Sequence, residues 1–218
     1  MLARRLFDGD ITVEELGPLP NGLTLHPDEE RMVAAAVPKR RREFAAGRHC
    51  ARRALERLDI HGFALVAGAD RAPRWPAGVV GSISHTDRYC VAVVARRAAF
   101  ASLGVDAEPA EPLECELWET VCTDAERRWL DTQPELERGR MARLIFSAKE
   151  CAYKCQYPLT GVLLDFHDLQ IEVDREAGRF TATYLRRVES RFELGRMHGG
   201  RFVMHSDLIG TGMTLRAR

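Results

Sequence analysis

The chain has 218 residues, enough for one large domain or two small ones around a sizeable core. Its 32 Lys plus Arg balance 32 Asp plus Glu, so no net field steers it to nucleic acid or a membrane, and charge-based recognition has to be local. The six cysteines (50, 90, 115, 122, 151 and 155) include no CxxC and no zinc-finger pairing with histidine, which predicts reduced thiols packed as small apolar groups.

The opening MLARRLFDGDITVEELG is interrupted by Asp8 and Asp10 before a signal-peptide core can form, and no apolar run approaches membrane-spanning length. The expectation is a soluble, cytoplasmic protein. Up to Pro38, acidic and turn residues alternate and little chemistry is readable. From Lys39 to Leu58, Phe44, Ala51, Ala54, Leu55 and Leu58 recur at helical spacing and predict a helix with a basic side. Asp70 to His85 is broken by Pro73, Pro76, Gly78 and Gly81 and reads as a loop running into a short strand. Tyr89 to Ala95, short and valine-rich, suits a strand covered on both faces. Phe100 to Glu108 predicts another, ended by Pro109. Helices are predicted from about Thr123 to Asp131, capped by Thr123 or Asp124, and from about Arg138 to Gln156. Strand-like pieces follow at Leu169–Val173, Arg179–Leu185 and Arg201–Ser206. No repeat or low-complexity segment is visible.

Three constellations could carry chemistry. In GVDAE, Gly104 to Glu108, Asp106 and Glu108 share one face of a strand with Cβ atoms roughly 6 to 7 Å apart. Such close carboxylates repel, and a divalent cation would relieve them; taken alone, a wet strand end explains them as well. In FSAKECAYK, Leu144, Ala148, Cys151, Ala152 and Cys155 form an apolar stripe beside a polar one of Arg143, Ser147, Glu150 and Lys154. By spacing alone, Glu150 and Lys154 are an i,i+4 pair worth about 0.3 to 0.5 kcal/mol. In GSISH, Gly81 to His85, freed amides, a hydroxyl and an imidazole suggest an anion cradle, weak by itself. The arginines of KRRREFAAGRHCARR suit phosphate, yet a charged helix face is usually just solvated.

In this order, WPAGVVGSISHT, GVDAEP and FSAKECAYK resemble the three signature blocks of the 4′-phosphopantetheinyl transferases of the surfactin-synthetase-activating superfamily. The basic segment is similar to the enterobactin-synthetase-associated branch, and the resemblance covers about Lys39 to Leu164. It implies an α/β (α+β) fold of two pseudosymmetric subdomains, each a small sheet packed with helices. They would span 1–102 and 103–218, meet near Ser102, and hold the active site at their interface. It also implies transfer of the phosphopantetheine arm of coenzyme A to a serine of an apo acyl or peptidyl carrier protein of nonribosomal-peptide, polyketide or siderophore synthesis. Adenosine 3′,5′-bisphosphate would be released, and the resemblance implies use of Mg²⁺. The metal ligands would be Asp106, Glu108 and Glu150, with Glu150 also the base and Glu126 in reserve. Lys154 would hold the pyrophosphate, and Arg48, Ser84, His85, Arg40 and Arg71 the coenzyme A phosphates. Leu113, Leu117 and Trp118 would meet the carrier. Other Mg²⁺-dependent nucleotide chemistry is the enzymatic alternative, although no GxxxxGK[ST] loop is present. A nucleic-acid module on residues 39–53 is the non-enzymatic alternative, disfavoured by zero net charge and absent aromatic interleaving.

Overall fold

The computed structural model describes residues 2–188 and 191–217. Strands β1 (Thr12–Leu16), β2 (Val79–His85) and β3 (Cys90–Arg96) form an antiparallel sheet in the order β1-β3-β2. Two α-helices precede β2: a short α1 (Pro27–Met32) and a long α2 (Pro38–Glu56), which Pro38 opens with a pre-set φ. β3 is covered on both faces, as its unbroken apolar run predicts. Cys90 and Ala92 meet Ala46, Cys50 and Ala51 of α2, while Val94 meets Ala54 and Leu55. Val91, Val93 and Ala95 turn the other way, into a core shared with the second half.

That half contains β4 (Phe100–Pro109), β5 (Leu169–Asp174), β6 (Arg179–Tyr184), β7 (Met197–Met204) and β8 (Leu208–Arg216), antiparallel in the order β4-β8-β7-β6-β5. Between β4 and β5 run α3 (Trp118–Val121), α4 (Asp124–Asp131) and α5 (Glu135–Thr160). The predicted cap holds: Thr123 Oγ1 accepts from Glu126 N, and the Glu126 carboxylate reaches back to Thr123 N. α5 extends beyond the expected 138–156, starting after Pro134 and carrying Pro158 in its last turn before Gly161 ends it at φ 66°. Its predicted apolar stripe is wholly buried in the same core as Ile209 and Met213 of β8.

Both halves lay a long helix on an antiparallel sheet, but one sheet has three strands and the other five. Phe100 already pairs with Arg216, so β4 belongs to the second sheet from its first residue and the division drawn after Ser102 falls inside it. The joint between sheets is not a ladder. Ser82 Oγ accepts from Val105 N at 3.1 Å, and Ser84 Oγ from Ala107 N at 3.2 Å, so two β2 side chains satisfy the free edge of β4. On the face of β4, Gly104 lets α5 come close, because a Cβ there would overlap the carbonyl oxygen of Cys151.

Four elements escaped sequence reading. β1 pairs only with distant β3, α1 and α3 are too short for a helical period to show, and β8 contains Gly210 and Gly212, which usually argue against a strand. At Gly212 a Cβ would lie 2.7 Å from the Phe7 ring, so the glycine admits the N-terminal segment onto this sheet face. β7 begins and ends earlier than the predicted 201–206, because His205 N already bonds to Leu208 O in the turn to β8. Among the described residues, all six cysteines are free and no helix is long and apolar enough to cross a membrane.

Candidate active site at the junction of the two sheets

Asp106 is the centre of the junction. It lies in β4 with 2 % exposure, and both carboxylate oxygens are engaged. Oδ1 accepts from Lys154 Nζ at 2.6 Å and from Ser84 Oγ at 2.8 Å; Oδ2 accepts from Ser147 Oγ at 2.8 Å. Lys154 Nζ also reaches Ser84 Oγ at 3.2 Å. One residue of β2, one of β4 and two of α5 therefore meet at a single carboxylate. The polar stripe of α5 lines this cleft, and the Glu150–Lys154 spacing is no longer a mere surface pair.

Glu108, next on the same face, lies 3.4 Å from Arg143 of that stripe. Burial and the neighbouring Asp106 charge push its carboxyl up to about 7, more than Arg143 and Lys154 offset. Glu150 is also raised, first by burial and further by Asp106, with Lys154 opposing. Burial would lower the Lys154 pKa, but Asp106, by charge and hydrogen bond, together with Glu150, raises it overall, so the ammonium stays charged. Glu108 and Glu150 are thus buried beside the Asp106 charge, and the nearby Arg143 and Lys154 do not fully offset this. Among the described residues, no three histidine, cysteine or acidic side chains enclose a metal position. The donor set nevertheless fits Mg²⁺, a hard cation that binds through one or two carboxylates plus substrate phosphates rather than a protein cage.

On the first-half side, a cleft of about 630 Å³ runs between the 70–75 loop and the end of α5. Arg71, Arg74, Arg97 and Lys154 supply its cations, and Trp75, Tyr153 and Tyr157 its aromatic surface. Arg71 has a left-handed backbone, φ 65°, in a loop tied to α5 by the Tyr157 hydroxyl donating to Asp70 Oδ2 at 3.2 Å. A smaller pocket of about 180 Å³, lined by Glu150, Tyr153, Leu164 and Phe166 among others, adjoins the junction. Tyr153 borders both. Sequence reading did not assign Arg74, Arg97, Tyr153 or Tyr157 to the site; Arg74 and Tyr153 lay inside stretches it considered, whereas Arg97 and Tyr157 lay outside them.

The remaining predicted residues are placed as follows. Arg40 Nη1 lies 3.1 Å from His85 Nε2; guanidinium can only donate, so that nitrogen is the acceptor of a neutral imidazole. Burial lowers the His85 pKa in keeping with this, and Glu43 sits 4.0 Å from Nδ1. Arg48, expected at a phosphate, turns inward: it is 7 % exposed, donates from Nε to Leu65 O at 2.8 Å and stacks 4.0 Å over Phe44. Ser84 is at the site, but its hydroxyl is taken by Asp106, Ala107 N and Lys154. GSISH is regular strand, paired with β3 over residues 79–85, rather than a turn of freed amides. Glu126, the reserve base, is buried against Lys149 at 2.8 Å. Of the three residues expected to meet a carrier, Leu113 is core, Trp118 donates from Nε1 to Leu113 O, and only Leu117 is exposed.

Two family models match this chain. Residues 28–95 match the 4′-phosphopantetheinyl transferase N-terminal domain, and residues 102–205 match the 4′-phosphopantetheinyl transferase superfamily. The chain belongs to that superfamily. The transferase is 43 % identical over 164 residues to the 4′-phosphopantetheinyl transferase Npt of Nocardia iowensis, covering 75 % of this chain and 73 % of that one. It is 38 % identical over 180 residues to PptT of Mycobacterium tuberculosis (82 % and 78 %), and 47 % identical over 165 residues to Svp of Streptomyces mobaraensis (74 % and 66 %). Enterobactin synthase component D of Escherichia coli K12 is 33 % identical over 152 residues. The first matched segment ends in β3 and the second begins in β4, the strand that carries both Asp106 and Glu108.

Proposed function

We propose that this transferase uses Mg²⁺ and coenzyme A to modify a serine of apo carrier domains in nonribosomal-peptide, polyketide or siderophore synthases. The observation that carries the reading is the convergence on Asp106 of Lys154, Ser84 and Ser147, beside two carboxylates short of countercharge and a cleft lined by arginine. Asp106, Glu108 and Glu150 would hold the metal, which when bound supplies positive charge to the pyrophosphate and its leaving oxygen.

The protein's own groups account for the rest. Lys154 neutralises a pyrophosphate oxygen from the junction. Arg71, Arg74 and Arg97 receive the remaining phosphate charge in the larger cleft, where guanidinium pairs with phosphate in a two-pronged geometry. Arg40 and His85 offer a further anion contact, and an incoming phosphate would reorient Arg40 away from the ring. Arg48 and Ser84 act from behind, one fixing α2 to Leu65 and the other fixing Lys154 and Asp106. The smaller pocket would seat the pantetheine arm, with Leu164, Phe166 and Leu169 against its methyl and methylene groups and Tyr153, Glu150 and Asp165 near its amides and hydroxyl. The carrier serine Oγ attacks the pantetheine-bearing phosphorus, the bond to the second phosphate breaks, and adenosine 3′,5′-bisphosphate leaves. Glu150 takes the serine proton; its raised pKa brings it closer to the working range of a general base.

The test is incubation with coenzyme A, Mg²⁺ and apo-carrier proteins, read by intact mass. A phosphopantetheine adduct that disappears in Asp106→Ala, Glu108→Ala and Glu150→Ala is the expected result. Full activity in all three variants would overturn the assignment.

A further inference from the structure

Lys149 and Glu126 form an ion pair in which each side chain is 1 % exposed, with Nζ 2.8 Å from Oε2. The lysine also donates to Val121 O and Phe166 O, each at 2.8 Å. All three ammonium donors are therefore used. The glutamate accepts from Thr123 N at 2.7 Å and Ile171 N at 2.6 Å. Apolar residues in place of such a pair are often neutral or better for stability, so net stability is a poor account of it.

What the pair joins is more telling. Lys149 is the residue before Glu150 on α5, and its partners lie at the end of α3, the start of α4 and the segment before β5, while Glu126 adds Ile171 of β5. Phe166, held by its carbonyl, lines the small pocket with Leu164, Asp165 and Leu169, together with Lys149 itself, Glu150 and Tyr153. We propose that Lys149 and Glu126 are a positioning pair that fixes the 164–169 wall against Glu150 and so sets the pocket's fit to the pantetheine arm. The inference rests on the transferase reading above, because it takes that pocket to be the arm's seat.

The double variant Glu126→Gln/Lys149→Met removes both charges together, keeps the amide acceptor for Ile171 N and releases Val121 O and Phe166 O. Calorimetric titration compares coenzyme A, which carries the arm, with adenosine 3′,5′-bisphosphate, which lacks it. The expected result is coenzyme A binding weakened about tenfold or more, equivalent to about 1.4 kcal/mol, while the bisphosphate is unchanged. Unchanged affinity for both, or equal loss for both, overturns the inference. Wild-type protein that binds neither would sink the transferase reading instead.

A second measurement needs no variant. In the wild type, amide exchange protection by coenzyme A beyond that by the bisphosphate should extend through residues 164–171 to residues 121–123. Arm-dependent protection that stops short of 121–123 counts against the pair as the link.

Discussion

At the scale of residues, the site is defined by an imbalance of charge. Glu108 has a folded-state pKa of about 7, raised above its ordinary value by burial and by Asp106. The sign follows from linkage: between the unfolded and folded pKa values the folded state binds more protons, so this group's contribution to stability falls as pH rises. Below the ordinary carboxylate range it costs nothing; above about 7 the whole cost is present. Glu108→Gln should therefore leave the metal-free melting temperature nearly unchanged at pH 4 and raise it at pH 8, and Mg²⁺ should narrow the gap at pH 8. A gap independent of pH would contradict the assigned cause. Asp106→Asn keeps the shape but removes the charge that holds Lys154. Turnover should fall about 100-fold or more, as when a preorganised electrostatic contact is lost. Stopped-flow transfer onto an apo-carrier checks this.

At the scale of elements, the junction depends on how closely β2, β4 and α5 approach. Gly104→Ala places a methyl against the Cys151 carbonyl, a rigid helix backbone rather than a yielding side chain. Overpacking of this kind costs about 1 to 3 kcal/mol or more, which urea titration should show as a lower midpoint with an unchanged slope. Ser82→Ala leaves Val105 N–H buried and without its acceptor, at a cost of about 1 to 3 kcal/mol, without touching Asp106. It should lower stability while sparing the turnover of protein that remains folded. An activity loss exceeding the folded fraction would mean that the β2 to β4 joint does more than hold the sheets.

At the scale of the whole molecule, two sheets of unequal size share one core, and the N-terminal residues Leu2, Leu6 and Phe7 belong to the same cluster as Val105 and Val93. A ligand spanning the cleft stabilises both halves together. Coenzyme A at about 100 times its Kd should add about 2.7 kcal/mol of stability. At this chain length that raises the melting temperature by roughly 5 to 11 °C, measurable by differential scanning fluorimetry. Arg71→Ala combined with Arg74→Ala should reduce the shift at the same concentration.

Local patterning alone determined much of this protein. The amphipathic spacing of α2 and α5, the doubly covered run of β3, the Thr123 cap and the alternation that puts Asp106 and Glu108 on one face all follow from periods of 3.6 and 2. The three ordered blocks were enough to suggest the family. Packing between distant segments decided the rest. Arg48 and Glu126 carry the right chemistry for the site, yet their partners, Leu65 O and Lys149, are set by contacts no spacing encodes. The glycines of β8 fit because Leu2 occupies the space beside Gly210 and Phe7 that beside Gly212, and Arg97 enters the cleft because β3 ends beside it. Periodicity reports which face of an element is apolar, but the identity of what covers that face depends on residues far away in the chain.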